Sequence, residues 1–220
     1  MPTRRLRLAA AAVAVAATLA CTSSAEAGPQ RANPAREAPL SAASSRAAPC
    51  GTLTAGANDP PTAVVRVDNL VAIRPEDLRF AQDRAGAVFS GIGARIVWID
   101  EDTAIRQRTT ATFTLVLVGS DKSSEQTWLV ADALGVAAPP VRRAHVFYDR
   151  IAALNVRTTG GILTILGDVM AHELGHLLLP PPGHSSGGIM RPNVDVRLAP
   201  PATFMKWQAA EIRCRLRLLR

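Results

Sequence analysis

His172, Glu173 and His176 stand in the order His-Glu-Leu-Gly-His. Residues four apart on an α-helix lie about one turn apart on one face, so both imidazoles can reach one metal ion. The glutamate between them points to the side of that metal, where a carboxylate can take a proton from water. Only four histidines occur in the 220 residues, which makes chance a poor explanation for the pairing. Ile162, Leu163, Ile165, Leu166, Val169, Met170, Leu174, Leu177 and Leu178 are apolar around most of the same helix, so it is expected to be buried. Burial suits a metal site because it holds ligand rotamers and excludes bulk water.

A catalytic zinc normally takes three protein ligands and keeps one position open, so a third ligand must come from beyond the helix. Pro180-Pro181-Pro182-Gly183 cannot continue the helix, and Gly183 permits the sharp turn that would bring His184 back. His184 is the expected third ligand. A carboxylate, Asp195 or Glu211, is the alternative.

The stretch from Gly160 to Pro192 resembles the metzincin clan of zinc metallopeptidases, whose pattern is HExxHxxGxxH followed by a tight turn carrying a methionine. Ile189-Met190-Arg191-Pro192 is similar to that turn. Two departures stand out: Leu179 occupies the clan's glycine position, and His184 lies eight residues after His176 instead of six. The resemblance implies a single zincin-like domain of α/β (α+β) class, with a small mixed sheet, an active-site helix and a C-terminal helix. It implies Zn2+ held by His172, His176 and His184, Glu173 as catalytic base, and Met190 packed beneath the metal. It also implies peptide or protein substrates laid along a sheet edge, which it places at Arg143 to Asp149. Some members carry a tyrosine just after the turn; Arg191 and Pro192 stand there instead, leaving most oxyanion stabilisation to the zinc.

The elements that must carry such a site can be read along the chain. Ala63 to Val67, Ala94 to Ile99, Thr112 to Val118 and Ala144 to Tyr148 read as strands. Pro75-Glu76-Asp77 opens a helix with a stripe of Leu78, Ala81, Ala85, Val88 and Phe89, and Gly91 and Gly93 end it. Glu125 to Leu134 reads as a weak helix closed by Gly135, after which Pro139-Pro140 resets the chain. Thr203 is expected to cap a last helix with two apolar strips, one of Phe204, Trp207, Cys214 and Leu218, the other of Met205, Ile212, Leu216 and Leu219. His145 and Tyr148 are expected to be ordinary half-buried strand residues.

The N-terminus reads as an export signal over residues 1–27. Arg4, Arg5 and Arg7 precede an apolar run from Leu8 to Ala20, and Ala25-Glu26-Ala27 is a small-x-small cleavage site. The run is too short to span a membrane. Lipidation at Cys21 is a competing reading. Residues 28–49 are almost all Ala, Pro, Ser, Arg and Gly, the composition of a disordered tether, and residues 50–220 form one domain. Cleavage leaves Cys50 and Cys214, an even count that suggests one disulfide in an oxidising compartment. Alternatively, Cys50 faintly resembles the pro-segment cysteine that some clan members use as a zinc ligand for latency.

The formal net charge is +7, and much of it lies in the last helix, where Lys206, Arg213, Arg215, Arg217 and Arg220 face only Glu211. Lys206, Arg213, Arg217 and Arg220 share one helix face, expected to be solvated. No nucleic-acid motif accompanies them. The expected function is a secreted or periplasmic zinc-dependent endopeptidase. The alternative is a non-catalytic zinc-stabilised envelope binding or anchoring module, against which the intact Glu173 speaks.

Overall fold

The computed structural model describes residues 59–107, 112–119, 133–154, 161–192 and 203–219. The expected signal, the tether, Cys21, Cys50, Asp195, Arg220 and most of the weak helix lie outside them.

Strand β1 (Thr62–Asn69) buries Ala63, Val65 and Val67 on one face, as the two-residue period of a pleated strand requires. Helix α1 (Pro75–Ser90) starts at the expected proline with Glu76 and Asp77 in its first turn, and buries Ala81, Ala85, Val88 and Phe89. Gly91 caps it, and Gly93 turns the chain at φ +70° into β2 (Arg95–Ile99), which runs parallel to β1. A short helix α2 (Glu101–Gln107), not expected from the sequence, leads on towards β3 (Phe113–Val118). It opens where Asp100 accepts the Thr103 backbone N–H, an Asp cap one residue after a strand.

The sheet has five strands in the order β2-β1-β3-β5-β4, so the expected mixed α/β architecture is present. Strand β4 (Gly135–Ala138) was not expected, because Gly-Val-Ala-Ala carries one β-branched residue and no polar alternation. Pro139-Pro140, read as a break, instead form the 3-10 turn of a hairpin, which Arg142 closes in the left-handed region at φ 52°. Antiparallel pairing of β4 with β5 (Arg143–Phe147) follows. This corrects the position of the sheet edge. Strand β5 is paired on both sides, parallel to β3 and antiparallel to β4, so the edge is β4.

The main core lies between one face of this sheet and helices α1 and α4 (Gly161–Leu178), and a short helix α3 (Tyr148–Ala152) adds Ile151. Helix α4 buries every residue from Val169 to Leu178, in keeping with its nearly uniform apolarity. Gly167 sets how closely it meets α1: a Cβ there would lie 2.6 Å from the Arg84 Cβ and 2.7 Å from the Ala81 carbonyl oxygen. Beside that contact Arg84 donates two hydrogen bonds to Asp168, of 2.8 and 3.1 Å, from a pair less than one-fifth exposed.

The last helix, α5 (Lys206–Leu218), buries Gln208, Ala209, Ile212, Cys214 and Leu216. Its expected strips are thus only partly right, since Met205, Trp207 and Leu218 are exposed. The expected cap is also displaced. Met205 is the capping residue, and its N–H donates to the Gln208 side chain at 3.0 Å, leaving Thr203 before the helix. Nor is the basic face wholly solvated, because Arg213 donates to the Ile92 carbonyl at 2.9 Å and ties α5 to the end of α1.

Losing the Asp168 carboxylate would strand the largely buried Arg84 guanidinium of α1 against the helix that carries His172 and His176. Asp168→Ala should destabilise the protein by about 2 to 4 kcal/mol, measured as a shift in the urea midpoint, with Asp168→Asn recovering part of the loss.

Candidate metal centre

Helix α4 places His172 and His176 one turn apart on the same side, with ring centroids 4.6 Å apart and an edge-on angle of 74°. The chain then leaves the helix later than in the metzincin pattern. Leu179 still donates to the Gly175 carbonyl at 2.9 Å, a continued helical bond, and Pro180 ends the run. The reversal comes at Gly183, with φ +70°, where a Cβ would sit 3.0 Å from the His176 Nδ1. The longer spacing is absorbed by this displaced turn, and His184 returns to the helix.

Three imidazole nitrogens converge as a result. His176 Nε2 lies 2.9 Å from His172 Nε2 and 3.1 Å from His184 Nε2. His172 is 1% exposed and His176 6%, whereas His184 is half-buried at the mouth. The other nitrogen of His172 settles its tautomer. Nδ1 is 2.8 Å from the Ile189 carbonyl, which can only accept, so Nδ1 carries the proton and Nε2 presents a lone pair. Burial pushes the His172 pKa down to about 4, offset in part by that carbonyl, and pushes His176 down to about 3, with its two histidine neighbours adding to the effect. Burial lowers His184 as well. At neutral pH the cluster is therefore three neutral imidazoles, and the one proton that His176 Nε2 could carry cannot serve both neighbours. A cation accepting all three lone pairs resolves this, so the residues fit a metal ion.

Glu173 is 2% exposed, and burial raises its pKa well above the ordinary carboxylate value. The newly found edge strand lies against it. A Cβ on Gly135 would fall 2.6 Å from both the Glu173 Cγ and Oε1, so the bare backbone at the start of β4 leaves the space this carboxylate occupies. Met190 is fully buried, and its sulfur lies 2.5 Å from where a Cβ on Gly175 would be. That packs the methionine against the helix between the ligand histidines, as the resemblance implied.

Among the described residues the metal-capable group has three members, and Glu211 is not one of them. Asp195 lies outside the described residues. His145 is not at the site either. Ala144 and Val146 join the core that α4 packs on, so His145, between them, faces the other side of the sheet, where burial first and the Arg143 charge second lower its pKa. Tyr148 packs against the main core at the start of α3.

The sequence reading missed Gln208. It is fully buried, and its side-chain amide donates to the Gly183 carbonyl at 2.9 Å and to Ser185 Oγ at 3.2 Å while accepting from Met205 N–H. These bonds bracket His184 and fasten its loop to α5. A signal exists in the spacing, since 208, 212 and 216 lie four apart and a glutamine thus interrupts an apolar stripe. A second strut holds His172: Ile189, whose carbonyl orients that ring, donates its own N–H to the Thr203 carbonyl at 2.9 Å.

No family model matches the chain, and neither does any curated protein. Among solved structures, it is similar to a zinc-dependent peptidase from Methanocorpusculum labreanum, at 14% identity over 70% of this chain and 98% of that one, with a TM-score of 0.40. It is also similar to an archaemetzincin from Methanopyrus kandleri, at 15% identity over 72% of this chain and 94% of that one, also with a TM-score of 0.40. Likeness this distant transfers no residue role. The case for a metal rests on the three imidazoles themselves.

Removing one ligand, or the glutamine behind it, should register as lost metal affinity. By competition against a chromophoric chelator, His184→Ala should bind a divalent cation far more weakly, Gln208→Ala about 10- to 100-fold more weakly, and Asp195→Ala no differently from the parent. Unchanged affinity in His184→Ala would remove it from the ligand set.

Proposed function

We propose that this protein is an exported zinc-dependent endopeptidase. The observation that carries the reading is the convergence of three imidazole nitrogens, with Glu173 and its buried carboxyl on the same helix turn. Three nitrogen ligands, with no carboxylate or thiolate among the described members of the group, suit zinc, and a set of three leaves a position open for chemistry. His172, His176 and His184 would hold the ion, with His172 oriented through Ile189 and His184 through Gln208. When bound, zinc supplies a Lewis acid that acidifies water and polarises a carbonyl.

Glu173 would then act as general base, taking the proton of the attacking water and passing it to the leaving amine. Its burial excludes bulk solvent, and the β4 backbone at Gly135 limits where the carboxylate can swing. The outer edge of β4, with which no strand pairs among the described residues, supports a peptide substrate, because an extended chain can pair with main-chain groups whatever its side chains. A structural zinc module would need a fourth ligand to close the ion, and the three-member group does not favour one.

Export rests on the sequence of residues 1–27, and the mature domain would span residues 50–220. No described helix is long and apolar enough to cross a membrane. A bridge between Cys50 and Cys214, which is buried on α5, would suit an oxidising compartment and would leave Cys50 unavailable as a zinc ligand. Such a bridge would close a loop of about 165 residues and stabilise the fold by about 4 to 5 kcal/mol on the chain-entropy account.

Two measurements test the proposal. Glu173→Gln keeps size and loses the base, so hydrolysis of a casein or peptide substrate should fall about 10²- to 10⁴-fold with metal content and urea midpoint unchanged. Activity within a few-fold of the parent would exclude Glu173 as the base. Mass mapping of non-reduced peptides should find Cys50 linked to Cys214; free thiols at both, with activity rising when the first fifty residues are clipped, would favour latency.

A further inference from the structure

The turn that carries Met190 continues into Arg191 and Pro192, to which the metal site assigns no role. Together with His184, Ser185 and Ser186 they line an open cleft of about 430 Å³ immediately beside the third imidazole. Arg191 is half-buried there. Its backbone N–H reaches the Gly188 carbonyl at 3.4 Å, but its guanidinium makes no ion pair or hydrogen bond among the described residues. Several other arginines have partners, although Arg217, also half-buried, has none among the described residues. Arg66, Arg74 and Arg84 meet carboxylates, and Arg213 reaches a backbone carbonyl.

A guanidinium stays charged at every working pH and offers a planar fork of donors matched to a carboxylate. No acidic group is among the described residues that line the cleft, so the guanidinium gives it a positive charge. With no partner among the described residues, the guanidinium keeps donors to offer an incoming group.

We propose that Arg191 is a specificity-determining residue, selecting substrates that place a carboxylate in this cleft beside the scissile bond. The proposal rests on the peptidase reading above and names the substrate class for it: peptides with an acidic group near the point of cleavage. Two sources could supply that group, an Asp or Glu side chain or the α-carboxylate at the substrate's own C-terminus. Both would engage the same guanidinium, in a cleft that Ser185 and Ser186 also line.

The test is a diverse peptide library digested by the zinc-loaded protein, with products read by mass spectrometry. The cleaved sequences are then resynthesised as Glu and Gln pairs, each with a free or an amidated C-terminus. The parent should show kcat/KM about tenfold higher for the acidic member of the deciding pair, as a charge-assisted hydrogen bond in a half-exposed site provides. Arg191→Gln should bring that ratio to about one, and Arg191→Glu should invert it in favour of a Lys peptide. Because each ratio is taken within one protein sample, partial misfolding of a variant cancels from it. Equilibrium binding of the same pairs to Glu173→Gln, which cannot turn them over, should show the same preference and lose it when Arg191→Gln is added. A Glu preference independent of the terminus assigns the side chain; a preference for the free terminus assigns the α-carboxylate. Hydrolysis of acidic and neutral peptides at equal kcat/KM, or a preference that survives Arg191→Gln, would overturn the role of Arg191 while leaving the peptidase intact. No chelator-sensitive cleavage anywhere in the library would overturn both.

Discussion

His176 Nε2 stands about 3 Å from the Nε2 of both His172 and His184, and lone pairs gathered so closely repel one another unless a proton or a cation lies between them. That constraint sets the terms for the rest of this protein. Nothing in an isolated helix would keep His172 and His176 in such rotamers, and nothing in a loop would press His184 towards them. The convergence exists because each ring is held from behind. The Ile189 carbonyl fixes the tautomer of His172, the turn at Gly183 runs directly along His176, and the loop around His184 is held by Gln208.

Each of these supports traces to the end of the chain. The Thr203 carbonyl takes the Ile189 N–H, and Gln208 spends its whole amide on Met205, Gly183 and Ser185. A segment distant in sequence from the histidines thereby orients two of the three. Gly188 shows how tight this junction is: its backbone sits at φ +75°, and a Cβ would strike the Thr203 carbonyl. On the other flank, α4 is seated by its close approach to α1 at Gly167 and by the Arg84 to Asp168 pair. The helix bearing two ligands is thus clamped between α1 and the sheet, and the loop bearing the third is clamped to α5.

What could be read from the sequence follows from this division. The histidine pair, the carboxyl between them and the buried helix were legible because they are local: a four-residue spacing and a run of apolar positions need no tertiary information. His184 was legible through the proline run and Gly183, although the residues of the clan pattern are displaced. Elements whose identity depends on partners were not. Strand β4 is a strand because β5 offers it a hairpin partner, and its composition alone points elsewhere. The edge was therefore assigned to β5, which turned out to be paired on both sides. Gln208 reads as a surface glutamine until the loop that uses its amide is in view. The cap of α5 moved for the same reason, since the Gln208 side chain that accepts the Met205 N–H also reaches the loop.

The same burial that gathers the ligands sets the ionisation of the base. Glu173 lies in an apolar surrounding that favours its neutral form, whereas a general base must be ionised. The two requirements are reconciled by the cation the histidines call for, because a dication nearby favours the carboxylate that burial disfavours. His172 and His176, with pKa values pushed down to about 4 and 3, have no proton to give up at neutral pH. Burial thus acts in opposite senses on the two kinds of group, lowering the pKa of the histidines and so keeping their lone pairs open, and raising that of the carboxyl between them.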